Sequence, residues 1–230
     1  MARHIGIVAC SAEGAALCYT TLCTEAPELM EKKHAHPEVS MHTHPFSDYV
    51  RLMEAGKWDG VAALMLSSEE KLAKAGAQLI ICPDNTIHRV FNDVMKKARL
   101  PWLHIAEEVA KEAGHRGYQK VGLIGTEYTM DDTFYQDKLK AYGIEVCLPA
   151  PKDRKLINRI IFDELVSAQF TAESRAYFTG LISEMRGQGC EAVALGCTEV
   201  PLIITEENSP LPVLDSTRLL ARAALRASLE

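Results

Sequence analysis

Two cysteines carry the first chemical signal. Cys82 closes the apolar run "LIIC" and is followed at once by Pro83, Asp84, Asn85 and Thr86. Cys197 closes "AVALGC" and is followed by Thr198 and Glu199. Each thiol stands at the exit of a hydrophobic run, among small polar groups, rather than inside the run. Such a thiol suits proton transfer, because an unperturbed cysteine pKa of about 8.5 keeps both protonation states within reach of neutrality, and local donors or a helix N-terminus lower it. Two of them acting on opposite faces of one carbon would remove a proton from one side and return one to the other. The outcome is inversion of a stereocentre, with one cysteine starting as thiolate and the other as thiol.

The elements that must position these thiols repeat. A shift of 116 residues places Gly6 of "HIGIVAC" on Gly122 of "KVGLIGT", and a shift of 115 places Cys82 on Cys197. A common offset near half of the 230 residues points to two related lobes. Strands are expected over 4–10, 78–83, 102–105, 120–125, 144–149, 192–196 and 212–215. Helices are expected over 60–76, stopped by Gly76; over 171–189, capped by Thr171 or Ser174; and over 216–230, capped by Ser216. The segment 88–98 reads as an amphipathic helix with Phe91 and Met95 in the core. Alternating strands and helices imply βαβ units with mainly parallel sheets. The expected fold is therefore α/β, two Rossmann-like lobes over 1–115 and 116–230 related by a pseudo-twofold axis. The active site would lie between them, with room for the C-terminal helix to pack back on the first lobe.

Open α/β sheets bind ligands outside the carboxyl ends of their strands. The residues there are Cys10 and Ser11, Cys82 to Thr86, Gly125 and Thr126, Cys197 to Glu199, and Asp215 to Thr217. They are thiols and hydroxyls, with few carboxylates and no Lys or Arg. Together with backbone N–H groups at helix starts they suit a small anion such as a carboxylate. Glu199 could orient a hydroxyl or receive a substrate amine, or simply favour a helix start. Asp84 and His88 read as structural.

"ICPDNT", followed half a chain later by "LGCTE" and then by "LDSTRLLARAAL", resembles the aspartate/glutamate racemase superfamily in its aspartate racemase-like branch, over essentially the whole chain. The resemblance implies a two-thiol amino-acid racemase that needs no cofactor, acts on a small and usually acidic amino acid, and is often a homodimer. It implies Cys82 and Cys197 as the acid–base pair, and Asn85, Thr86 and Thr198, with Thr126, as ligands of the α-carboxylate and amino group. The first loop, "VACSAEGAA", departs from the pattern. Cys10 stands where relatives carry Gly or Asp, either as a third reactive thiol or as a packed strand-end residue, while Ser11 keeps a hydroxyl and joins the substrate-binding set. Arg51, His42 and His44 fall where the substrate side chain would lie. Within the superfamily, maleate isomerisation through a covalent cysteine and hydantoin racemisation remain open. So does an amino-acid-binding protein without turnover, which the altered first loop motivates.

The rest of the sequence narrows the class. A net charge of −6 argues against nucleic acid or an anionic membrane as partner. The first apolar run is too short for a signal or a membrane span, so a cytoplasmic protein is expected. Seven cysteines, an odd number without a CxxC pair, speak against a disulfide framework or a zinc ribbon. Cys18, Cys23 and Cys147 read as small buried residues. His34, His36, His42 and His44 could attract zinc or copper, but without an HExxH-type spacing they read as an exposed loop and strand or a specificity segment, not a metal site.

Overall fold

The computed structural model describes residues 2–230. The chain forms two compact units, Met1–Ile105 with Thr217–Glu230, and Ala106–Ser216.

In the first unit, β1 (Ile5–Ala9), α1 (Ala12–Leu29), β2 (Val39–Thr43), α2 (Phe46–Glu54), α3 (Trp58–Lys74), β3 (Leu79–Ile81) and α4 (Phe91–Met95) follow in order, and a 3-10 turn over Thr86–Val90 precedes α4. The sheet order is β2-β1-β3, all parallel, with Gly6 opposite Ser40 on one side and Ile80 on the other. Every residue of β1 and β3 is buried, as expected of a parallel sheet covered on both faces. Gly76 adopts φ +99° just past α3 and turns the chain into β3.

The second unit contains α5 (Ile105–His115) from Ala106 onward, β4 (Lys120–Gly125), α6 (Glu127–Asp131), α7 (Phe134–Ala141), β5 (Glu145–Cys147), α8 (Pro151–Asp163), α9 (Ala172–Gly187), β6 (Ala192–Gly196) and β7 (Val213–Asp215). Its sheet runs β5-β4-β6-β7, again parallel. Thr171 caps α9 by accepting the Ser174 N–H at 3.1 Å. Gly189, at φ +88°, ends that helix and leads into β6.

Three strands of each sheet correspond: β1 is flanked by β2 and β3 as β4 is flanked by β5 and β6. The offset is not uniform. The last β1–β3 pair is Ile7–Ile81, whereas β4 and β6 stay paired to Gly125–Gly196. The sequence reading makes 102–105 a strand. Only Trp102 pairs there, through one parallel bridge to Ile80, and Ile105 already begins α5. The helix after β7, α10 (Ser216–Leu229), belongs to the first unit from Thr217 onward, and its Leu220, Ala221, Ala224 and Leu225 join the core of Ile5, Ile7, Cys18, Leu22 and Ile81.

Three further expectations are corrected. Ser216 does not cap α10 from outside; it is the first helical residue, and its hydroxyl donates to the Leu195 carbonyl at 2.7 Å. Met95 is 39% exposed rather than core, because α4 lasts only five residues and turns it outward. Cys23 and Cys147 are only partly buried. β2 is the strand of the exposed loop and strand expected around His34 to His44, and its burial alternates around exposed Met41 and Thr43.

A buried carboxylate holds the bridge beside β3. Glu69 Oε1 accepts the backbone N–H groups of Arg99 and Leu100, each at 2.8 Å, and the Trp102 indole N–H at 3.3 Å. Replacing Glu69 by Ala strands three donors, so Glu69→Ala is expected to cost about 3 kcal/mol or more in urea unfolding. A cost below about 1 kcal/mol would show that these groups find other partners.

Candidate active site

Cys82 is the residue after β3, and Cys197 the residue after β6. Both are buried, in different compact units. At Cys82, burial pushes the thiol pKa well up and the Asp84 charge adds to the rise, while a backbone hydrogen bond at Asp84 partly offsets it. Burial and the Asp84 charge both favour the thiol over the thiolate at Cys82.

The segment after Cys82 is tightly tied. Asp84 Oδ1 receives the Ile87 N–H at 3.4 Å. His88 Nδ1 meets the Asp84 carbonyl at 2.7 Å, and the Ile105 N–H points at His88 Nε2 at 3.3 Å. This pattern defines a neutral imidazole with its proton on Nδ1. Burial lowers the His88 pKa to about 4. The folded value lies below the unfolded one, so the unfolded chain takes the proton first. Stability from this group is complete above about pH 6.5 and is lost as pH falls toward 4, by about 3 kcal/mol in all. Urea midpoints compared between pH 7.5 and 4.5 are expected to fall more steeply for the native protein than for His88→Gln; equal slopes would remove the role.

At Cys197 the arrangement is different. The Cys197 thiol donates to Glu199 Oε2 at 3.0 Å, and the Thr198 hydroxyl donates to the same oxygen at 2.8 Å. Glu199 is 3% exposed, and its other oxygen, Oε1, is buried with no hydrogen-bond partner among the described residues. A buried carboxylate with one oxygen doubly satisfied and one bare presents a directed acceptor for a cation or donor.

The remaining sequence candidates are placed as follows. Ser11, Asn85 and Thr86 are buried at the strand ends of the first unit. Thr126 is buried after β4, where its hydroxyl oxygen caps α6 by accepting the Thr129 N–H at 3.2 Å. Cys10 is buried directly after β1. His42 lies on β2 with both ring nitrogens engaged, Nδ1 with Ser68 Oγ at 3.0 Å and Nε2 with Lys71 Nζ at 2.9 Å. Burial, the Lys71 charge and His44 lower its pKa. His44 Nε2 is buried with no hydrogen-bond partner among the described residues. Arg51 is turned outward, its side chain 69% exposed and paired with Asp48 at 3.3 Å. Among the described residues no group of three or more His, Cys, Asp or Glu is arranged to hold a metal ion. No described helix is long and apolar enough to cross a membrane.

The sequence reading missed a buried tyrosine near each thiol. Tyr49 on α2 is fully buried, and burial, then the charges of Cys82, Cys10 and Asp84, push its phenol up. Ser68 is its polar neighbour, but the Tyr49 hydroxyl lacks full hydrogen-bond geometry to any described group. Tyr135 on α7 is buried near Asp215 and Cys197; burial raises it, and a hydrogen bond with Ser216 counters part of the rise. A tyrosine on an amphipathic helix reads as core until the fold sets it beside a strand end.

The comparisons with known proteins agree with this layout. The Asp/Glu/Hydantoin racemase family matches residues 7–224. A broad specificity amino-acid racemase of Bacillus subtilis, RacX, is 28% identical over 169 residues, covering 73% of this chain and 72% of that protein. The crystal structure of an aspartate racemase homologue from Pyrococcus horikoshii superposes with a TM-score of 0.82 at 30% identity, over 99% of this chain and 100% of that one. Picrophilus torridus aspartate racemase, at 22% identity, shares the fold with a TM-score of 0.80 over 98% of this chain and 94% of its own. The fold thus falls in the class of α/β racemases. The chain belongs to the Asp/Glu/Hydantoin racemase family and is an isomerase of a kind that works without pyridoxal phosphate.

Proposed function

We propose that the protein is a cofactor-independent racemase of a small α-amino acid, with Cys82 and Cys197 as the two acid–base groups. One thiolate takes the α-proton and the other thiol delivers a proton to the opposite face. Asn85, Thr86, Thr198 and Ser11 bind the α-carboxylate and amino group, and Thr126 completes the set through the turn it caps.

The observation that carries the reading is the Cys197–Thr198–Glu199 unit. The bare Glu199 Oε1 suits the ammonium of an amino acid, and one bound there would balance the carboxylate charge beside the reacting thiol. An amine-free diacid such as maleate offers nothing to that oxygen and would set a second negative charge against it. The outward turn of Arg51 and its pairing with Asp48 leave it a poor candidate for a distal carboxylate, which favours breadth of substrate over strict preference for aspartate or glutamate.

The test is a panel of L- and D-amino acids in deuterium oxide, followed for loss of the α-proton and for inversion, with a chelator present and no pyridoxal phosphate. Exchange with inversion of at least one amino acid is expected. A cysteine adduct with maleate and no amino-acid exchange would instead favour isomerisation; stabilisation by an amino acid without exchange would mean a binding protein.

A further inference from the structure

Within the first unit, the outer face of α3 and the segment after α4 flank an open groove. Its larger part, about 560 Å³, runs past Leu66, Ser67, Glu70 and Lys74 of α3 and past Lys97 and Arg99. A second part, about 260 Å³, continues past Asp59, Ala62, Asp93 and Lys96, and Ala63, Leu66 and Lys97 line both. From Asp59 to Lys74 the helix rises about 23 Å, so the groove follows nearly its whole length. Asp59, Leu66 and Ala73 recur at seven-residue intervals, with Ala62 and Glu69 three residues after the first two. That spacing is the seam of one helix packed along another, and Ala62, Ala63, Ser67 and Ala73 are small enough for a close approach. The seam is open: Asp59, Ala63, Glu70 and Lys74 are exposed, and Leu66 and Ala73 are half-buried. Its two ends differ in charge. Lys74 and Arg99 outnumber Glu70 at one end, where the buried Glu69 is already engaged by backbone and indole N–H groups. Asp59 and Asp93 outnumber Lys96 at the other.

We infer that this groove is the contact between two copies of the chain, each α3 lying antiparallel in the groove of the other about a twofold axis between Leu66 and Ser67. The placement of the charges argues for a second copy rather than an unrelated partner. That axis exchanges Asp59 with Lys74, so the acidic end of each groove meets the basic end of the other, twice. It also sets Ala63 opposite Glu70, a small residue against a long one, and brings Leu66 of both copies together at the centre. A parallel arrangement sets Asp59 against Asp59 and Lys74 against Lys74, and is disfavoured. The face is thus self-complementary, as an isologous contact requires, with an apolar centre and a charged rim. The partner helix covers the groove floor where Glu69 holds the Arg99, Leu100 and Trp102 N–H groups, which couples pairing to the stability of the bridge beside β3. Nothing in the pairing depends on the reaction proposed for the thiols.

The test is sedimentation velocity of the whole protein over a range of micromolar concentrations, with a melt recorded at each. A dimer is expected, with a melting temperature that rises with protein concentration. Ala63→Glu, at an exposed position, sets a like charge against Glu70 of the other copy and is expected to weaken the dimer by about tenfold or more. Asp59→Lys and Lys74→Glu each juxtapose like charges at both ends and are expected to weaken it as well. Mixed together, these two variants present opposite charges at both ends, and the mixture is expected to regain the dimer that each alone loses. A variant that failed to fold could not be rescued in this way. The inference is overturned if the native protein sediments as a monomer throughout, which would leave the groove to a small ligand or another protein. It is equally overturned if Ala63→Glu dimerises as tightly as the native protein, or if the mixed variants associate no more tightly than either alone.

Discussion

Cys82→Ser and Cys197→Ser are each expected to lose racemisation by on the order of 10²–10⁴-fold, and to differ in what they retain. Serine keeps the size of cysteine but has a hydroxyl far less acidic than a thiol, so it can neither hold the negative charge of the base nor give its proton readily. In each variant one thiol remains on one face of the α-carbon. That thiol can still remove the proton it faces and return a solvent-derived proton to the same face. Each variant is therefore expected to exchange the α-proton of one enantiomer slowly in deuterium oxide, without inversion, and the two variants are expected to choose opposite enantiomers. Proton NMR of each pure enantiomer reads this directly. A shared enantiomer preference, or wild-type racemisation in either variant, would sink the two-thiol mechanism. The burial that holds Cys82 as a thiol also predicts that the direction needing Cys82 as base gains more from raising the pH than the other.

Glu199→Gln is expected to weaken amino-acid binding by about 10- to 100-fold, the worth of a hydrogen bond to a charged group. The amide is nearly the same shape and can still accept from Cys197 or Thr198 through its oxygen, so local structure is retained. It removes the negative charge, and its NH₂ cannot receive an ammonium. The loss is expected to be confined to ligands with an amine: an amino acid loses affinity, while the matching 2-hydroxy acid does not. Calorimetric titration of both ligands into both proteins separates this from general damage to the site, which would weaken both. Equal affinity of Glu199→Gln and the native protein for amino acids would assign Oε1 no part in binding. The His88 and Glu69 variants, by contrast, act on stability, since both residues hold backbone around β3 and its exit.

Much of this layout can be read without coordinates. Buried parallel strands are continuous apolar runs, so "HIGIVAC", "QLIIC", "KVGLIG" and "AVALG" announce themselves, as do the glycines that end the helices before β3 and β6. A thiol at the end of such a run, twice, half a chain apart, marks candidate chemistry because chain order and strand direction alone put both at carboxyl ends. Local pattern failed where pairing is not local. Trp102 sits in an apolar tetrapeptide, yet it makes only one bridge because Glu69, more than thirty residues earlier, holds its indole and the backbone before it. β2 is legible only as part of an exposed loop and strand, and its bounds are set by its pairing along β1. Thr126 reads as a ligand by position, but its oxygen also serves as a helix cap.

By itself, then, the sequence determined the alternation of elements, the repeat, and the two strand-end thiols, since periodicity, glycine conformations and chain direction are properties of neighbouring residues. The tertiary structure alone decided which polar atoms are satisfied. Hydrogen bonds are assigned by distance and burial across elements that lie far apart in the chain. Those assignments engage both nitrogens of His42, turn Arg51 outward, and leave one oxygen of Glu199 bare beside the thiol of Cys197.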